Sequence, residues 1–315
     1  MTSGRRTGIL AALLALGVSG CSVLQHASAI PPPAAGNRAA THSPAPGASY
    51  SGPLIGVRAT GFPPSWSAVD SFSTATGVTP RLVLYYSGWN EPFSARNATA
   101  ALDHHAELLI QIEPTGVSMA GIADGSYDSY LRSYASQIKR FGHPVVLGFA
   151  HEMNGTWYSW GREDTPPSIW VAAWRHVVTL FERAGVHNVT WLWTISHTNT
   201  HYIRRYWPGS GYVTWVGVDG YFSKPADSFD SVFGSALRVV RRLTTKPILL
   251  SEVGVGPLTG HQAADITSLF AAIRKDHLLG LVYFDVDQHG SYTHQDWELE
   301  GDKAAQAHSA LVRGS

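Results

Sequence analysis

Short apolar runs alternate with longer amphipathic patterns along most of the chain. Eight such runs stand out, at 54–57, 81–86, 108–112, 145–150, 189–193, 215–218, 247–250 and 280–284. They are β-branched or aromatic, nearly continuous in apolar character, and bounded by turn residues. Strands buried on both faces of a parallel sheet read this way. Between them lie stripes with apolar residues three and four apart, the spacing of a helix with one buried face. One is Tyr127, Tyr130, Leu131, Tyr134, Ile138 and Phe141; another is Trp170, Trp174, Val177, Val178 and Phe181. Two more are Phe229, Val232, Phe233, Ala236, Leu237 and Val240, then Ile266, Leu269, Phe270 and Ile273. The helix after the fifth strand is short and weak, around 202–206. Eight βα units in about 260 residues fit a (β/α)8 TIM barrel, whose typical size is about 250 residues. A doubly wound open sheet would want a glycine-rich phosphate turn after the first strand. Gly56-Val57-Arg58-Ala59-Thr60-Gly61 lacks the third glycine and the spacing.

The N-terminus reads differently. Arg5 and Arg6 precede an apolar run from Ile9 to Val18, a cationic region followed by a short hydrophobic one, as in a signal peptide. A membrane helix needs roughly 20 apolar residues, and this run is too short. It ends Val18-Ser19-Gly20-Cys21, which resembles the bacterial lipoprotein box and implies cleavage before Cys21 with lipid on its sulfur. The alternative is ordinary cleavage after Ala27-Ser28-Ala29, leaving no lipid. Arg5-Arg6 hints at twin-arginine export, but its surroundings do not complete that motif. Residues 22–53 are rich in Pro, Ala, Gly, Ser and Thr and carry no acid; the first acid of the chain is Asp70. This is the composition of a flexible tether. The expected organisation is a signal peptide over 1–20, a linker over 21–53 with lipidated Cys21, and a single α/β barrel domain over 54–315. The expected location is exported and anchored on the outer side of the cell membrane.

Composition narrows the partners. The chain has 315 residues, 23 of them basic and 23 acidic, so its formal charge is zero. A nucleic-acid binder should show a basic stripe. With 44% hydrophobic and 15% charged residues it is no disordered tail. The single cysteine excludes an intrachain disulfide and a thiolate zinc cluster. A monomer without cofactor or metal is expected.

Active residues of a barrel come from the C-terminal ends of strands and the loops after them. Strand 3 ends in Glu113-Pro114, strand 4 in His151-Glu152-Met153-Asn154-Gly155, strand 6 in Asp219-Gly220-Tyr221, strand 7 in Ser251-Glu252-Val253-Gly254 and strand 8 in Phe284-Asp285. Two carboxylates across a barrel mouth suit glycoside hydrolysis, one protonated to donate to the leaving oxygen and one ionised to attack or to activate water. Glu152 and Glu252 are that pair. Each alone could equally be a solvated strand-end residue or an ion-pair partner. Trp89, Trp157, Trp160 and Trp297 lie in loops at the same end and are candidate platforms for sugar rings. Other chemistries fail on spacing. A zinc-protease helix needs a second His four residues after His151, and that position is Gly155. His197 and His201 have the spacing but no obvious carboxylate partner. Asp285-Val286-Asp287-Gln288-His289-Gly290 resembles half a calcium loop and lacks the later Glu. No Gly-x-Ser-x-Gly elbow and no Walker loop is present.

The segment Phe149-Ala150-His151-Glu152-Met153-Asn154-Gly155-Thr156-Trp157-Tyr158-Ser159-Trp160-Gly161 is similar to the strand-4 signature of glycoside hydrolase family 26, best known for β-mannanases. Trp207-Pro208-Gly209, Tyr212-Val213 and 215–221 resemble its strand-6 region, and Ser251-Glu252-Val253-Gly254 its nucleophile site. The resemblance spans about residues 54–300. It implies that Glu152 is the general acid and then base, that Glu252 is the nucleophile, and that His151 binds near the cleavage point. It further implies that Tyr221 donates to the nucleophile and that Trp157 and Trp160 line sugar subsites. Glu113, Asn154, Trp89 and Trp297 complete the expected substrate-binding set. Many family members carry Arg three residues before the His; here it is Gly148. The expected function is a retaining endo-β-glycanase, with β-1,4-mannan as the first substrate and the membrane, through Cys21, as a partner. The alternatives are a non-catalytic carbohydrate-binding lipoprotein, or a glycosidase acting on β-1,3-xylan, mixed-linkage β-glucan or another surface polysaccharide.

Overall fold

The computed structural model describes residues 52–63, 65–288 and 296–299. The expected signal segment, Cys21, most of the linker and the last residues of the barrel domain lie outside the described residues.

Eight strands close into one barrel in the order β1 to β8, every pair parallel. They are β1 (Leu54–Ala59), β2 (Leu82–Gly88), β3 (Glu107–Glu113), β4 (Val145–Phe149), β5 (Val189–Ser196), β6 (Trp215–Phe222), β7 (Ile248–Val255) and β8 (Gly280–Asp285). All eight fall on the apolar runs. β6 and β7 run further than their apolar cores suggest, so Tyr221 and Glu252 sit on strands and not in the loops beyond.

Alternation along each strand sorts side chains to two faces. Leu54, Leu82, Leu84, Leu109, Val146, Leu192, Leu249 and Val282 fill the lower interior of the barrel. Each such buried aliphatic contributes about 1.5–3 kcal/mol. Their strand neighbours, such as Val57, Val83, Tyr85, Ile110, Leu147 and Trp193, pack outward against the helices. Above the aliphatic floor the interior turns polar. Gln111 Nε2 donates to Thr194 Oγ1 at 2.9 Å, and Ser251 Oγ donates to Asp219 Oδ1 at 2.5 Å. Two glycines make room for this layer. A Cβ on Gly148 would lie 1.9 Å from Gln111 Oε1, and one on Gly217 would lie 2.4 Å from Ser251 Oγ.

The outer layer comprises α1 (Ser67–Thr76), α2 (Ala95–Asp103), α3 (Met119–Ala123), α4 (Asp128–Phe141), α5 (Pro167–Arg183), α6 (Ser235–Leu243) and α7 (Gln262–Lys275). α5 opens on Pro167, whose fixed φ suits a first helical turn. It buries Trp170, Ala173, Trp174, Val177, Val178, Leu180 and Phe181, the stripe its spacing predicts. The stripe beginning at Phe229 enters α6 through a wide turn over Asp230–Gly234. After β5 the chain makes two 3-10 turns, Thr200–Tyr206 and Ser210–Tyr212, in place of an α-helix. No helix among the described residues is long and apolar enough to cross a membrane.

Candidate active site

The chain just past β4 is built under strain. Ala150 and Glu152 have φ of +48° and +53°, left-handed values that L-residues adopt only when surroundings impose them. Four hydrogen bonds do so. Ala150 N–H donates to Ile112 O at 3.0 Å and Glu152 N–H to Thr194 O at 3.0 Å. The Trp170 indole N–H donates to Ala150 O at 3.2 Å and that of Trp160 to His151 O at 2.7 Å. The result aims Glu152 across the mouth of the barrel.

Glu252 faces it from β7. Tyr221 Oη donates to its Oε2 at 2.6 Å, and Tyr86 Oη donates to its Oε1. Burial raises the Glu252 carboxyl above its ordinary range; the two phenols and the positive charge of Arg58 oppose that rise. Glu152 has fewer such aids. Burial first, then the Glu252 charge, push its carboxyl up to about 8, against the Trp157 hydrogen bond. Trp157 Nε1 donates to Glu152 Oε2 at 2.8 Å. The two carboxyls therefore sit in unequal environments, Glu252 with two phenol donors and a nearby cation opposing its rise and Glu152 with the Trp157 donor alone, the kind of asymmetry that separates paired glycosidase acids.

The surroundings keep this order. His151 is 1% exposed and pushed down to about 3 by burial, so its ring is neutral. Its Nε2 meets Tyr158 Oη at 3.0 Å, and Tyr158 stacks on Trp160 at 4.3 Å. Asp219 lies below, buried, its carboxyl raised well above the usual range by burial and by the Glu252 and Glu152 charges. Glu113 at the end of β3 is also raised, by burial and then by Glu252 and Glu91.

Glu152, Glu252, His151, Tyr221, Trp157 and Glu113 thus come together at the mouth. Four expected substrate-binding residues do not present a sugar face. Trp89 is 8% exposed and packs against Tyr127, Tyr130 and Phe149, within the core. Trp160 is buried and spends its N–H on the His151 carbonyl. Trp297 is buried behind Tyr221, with ring centroids 5.0 Å apart, and donates to Gln288 Oε1 at 3.1 Å. Asn154 is wholly buried; its Nδ2 donates to Ser196 O and Thr198 O, and its Oδ1 accepts from Ser196 N. It ties the loop after β4 to that after β5. Conversely, Tyr86 is a site residue that motif reading misses. Alternation in Leu82-Val83-Leu84-Tyr85-Tyr86 offers the signal, since Tyr86 shares the inward face of Leu82 and Leu84. Among the described residues no group of three or more His, Cys, Asp or Glu is placed to hold a metal ion.

A parallel eight-stranded barrel with two buried carboxyls across its C-terminal mouth is an arrangement that suits glycoside hydrolysis. Residues 122–255 match the family model for glycosyl hydrolase family 26. Endoglucanase H of Acetivibrio thermocellus is 29% identical over 267 residues, 78% of this chain and 29% of that protein. A mannan endo-1,4-beta-mannosidase of Bacillus subtilis is 29% identical over 218 residues, 64% of this chain and 54% of that protein. The chain spans less than two thirds of the length of either relative. The catalytic domain of an endo-beta-1,4-mannanase from Bacillus sp. JAMB-750 superposes with a TM-score of 0.61 at 19% identity, covering 84% of this chain and 86% of that one. Over residues 122–255 the chain is similar to glycosyl hydrolase family 26, and its fold is that of the solved mannanase domain.

Proposed function

We propose that the protein is a retaining endo-β-glycanase working by double displacement, with Glu252 as nucleophile and Glu152 as general acid and then base. The observation that carries this reading is the unequal treatment of the two carboxyls. Both oxygens of Glu252 are fixed by phenol donors, which favours an ionised, aimed nucleophile. Glu152 stays protonated up to about 8 and can donate to the leaving oxygen. Once the glycosyl-enzyme has formed, Glu152 is left ionised and takes a proton from the attacking water. The exposed Trp157 ring, 49% accessible, offers an apolar face to a sugar beside the acid. β-1,4-Mannan is the first substrate reading. A β-glucan is the second, favoured because the match to the endoglucanase covers more of this chain than the match to the mannosidase. Incubation with β-1,4-mannan, mixed-linkage β-glucan and β-1,3-xylan, with proton NMR of the first products, tests both. Release of oligosaccharides with the β-anomer first is expected. Initial α-anomer refutes retention, and no hydrolysis of any polymer refutes the enzyme reading in favour of a binding protein.

We further propose that the barrel is exported and held at the membrane surface by lipid on Cys21. The support is the sequence Val18-Ser19-Gly20-Cys21 at the end of an apolar run. Metabolic labelling with an alkyne fatty acid should mark the wild-type chain and not Cys21→Ser; equal labelling, or none in either, overturns it.

A further inference from the structure

The inner face of β1 reads Leu54, Gly56, Arg58, because Ile55, Val57 and Ala59 pack outward into the helix layer. Arg58 is the topmost of the three and reaches into the mouth. Its guanidinium carbon stands 5.8 Å from the centroid of the Tyr86 ring, within cation–π range. One terminal nitrogen donates to Ala59 O, while Nε is buried with no hydrogen-bond partner. Tyr86 in turn donates to the nucleophile carboxylate.

The company around Glu252 is otherwise acidic or neutral. β2 brings Tyr86, β3 brings Glu113, and the end of β4 with its loop brings His151, Glu152 and Tyr158. β6 brings Asp219 and Tyr221, and β8 carries Tyr283 and Asp285. His151 is uncharged, so among the described residues that act on Glu252 the positive charge comes from Arg58.

We infer that Arg58 is a positioning residue for the nucleophile: it holds the Tyr86 ring so that the hydroxyl stays on Glu252, and it supplies the counter-charge to that carboxylate. The first task is geometric and the second electrostatic. Burial raises the Glu252 carboxyl, and the Arg58 charge works against this. Without it the carboxylate would be reprotonated at a higher pH, and attack would fail first on the acid side. The role rests on the reading of Glu252 as nucleophile.

The test compares Arg58→Gln and Arg58→Lys with wild type, with Arg58→Met as the alternative should the Gln variant not fold. The first readout is kcat/KM on β-1,4-mannan across pH. Loss of the charge is expected to cost about tenfold more on the acid limb than on the plateau, with that limb displaced upward. The loss should lie in kcat more than in KM, and Arg58→Lys should recover most of it. The second readout needs no turnover: carboxyl NMR titration of the protein labelled with 13C-glutamate, the Glu252 signal identified by its absence in Glu252→Gln. Its midpoint should rise in the Gln variant and return toward wild type in the Lys variant. An unmoved midpoint in a folded Gln or Met variant, or equal loss at every pH, overturns the role. A wild-type protein that hydrolyses no polymer refutes the functional reading alone, and the titration still decides Arg58.

Discussion

The indole of Trp157 and the carboxyl of Glu152 are joined at 2.8 Å, and the ring that makes the bond is half exposed. On the proposed reading, the ring offered to sugar therefore also tunes the acid. The bond favours the ionised form of Glu152. Replacement by Phe keeps an apolar face and deletes the donor. In Trp157→Phe the Glu152 carboxyl should rise beyond about 8. The alkaline limb of kcat/KM should move up with it, measured by pH profile, while KM changes little. A limb that moves down would contradict the assignment of this donor.

Glu152 should also cost the fold stability. Its folded carboxyl is raised from 4.5 to about 8, so the unfolded chain releases the proton first. A raised carboxyl contributes stability below the unfolded value and loses it as pH climbs through the folded one. The penalty therefore grows between about 4.5 and about 8. Glu152→Gln removes it. The melting temperature of this variant should exceed that of wild type by a few degrees on the alkaline side and match it on the acid side. Its activity should fall by about 10²–10⁴-fold, the usual worth of general acid–base help.

Asn154 belongs to the scaffold. Asn154→Ala strands Ser196 N and two carbonyls in a buried place, and should cost about 3 kcal/mol or more by denaturant unfolding. KM for polysaccharide should stay near wild type wherever the variant is folded. A large rise in KM with unchanged stability would return Asn154 to the substrate side.

Gly148 and Gln111 should be energetically coupled. Gly148→Ala drives a methyl into the Gln111 amide, which should cost about 1–3 kcal/mol as overpacking. In the Gln111→Ala background the same substitution should be milder, and a double-mutant cycle measures the difference. Strict additivity would show that the barrel interior relaxes around the new methyl.

The strands were legible because a parallel barrel buries both strand faces, leaving contiguous apolar runs such as 145–150. The carboxylates were legible because such runs end where the mouth begins. What the one-dimensional pattern could not carry was facing. Ser251 and Glu252 are adjacent, and a regular strand would send them to opposite sides. The register between β7 and β8 shifts between Leu250 and Val253, and that between β6 and β7 shifts between Gly217 and Asp219. With those irregularities Ser251 bonds Asp219 while Glu252 reaches both tyrosines. Loop tryptophans were equally opaque. Trp157 and Trp160 stand three apart in one loop, yet one is half exposed and the other grips a carbonyl, a distinction set by contacts from Tyr158 and His151. Gly148 as an isolated letter read as a missing cation; in the barrel it is the space that Gln111 occupies.

The indole of α5 that bonds Ala150 O has one more consequence. Trp170 is at once a core residue of the outer layer and the tether of a backbone carbonyl two residues before the acid. Heat that loosens α5 from the barrel must release that tether in the same event, and the left-handed turn at Glu152 then loses one of the four hydrogen bonds that enforce it. Catalytic competence and the docking of this helix are one cooperative unit, so the protein should have no warm, folded, inactive state. Activity and α5 protection against hydrogen exchange should disappear at the same temperature.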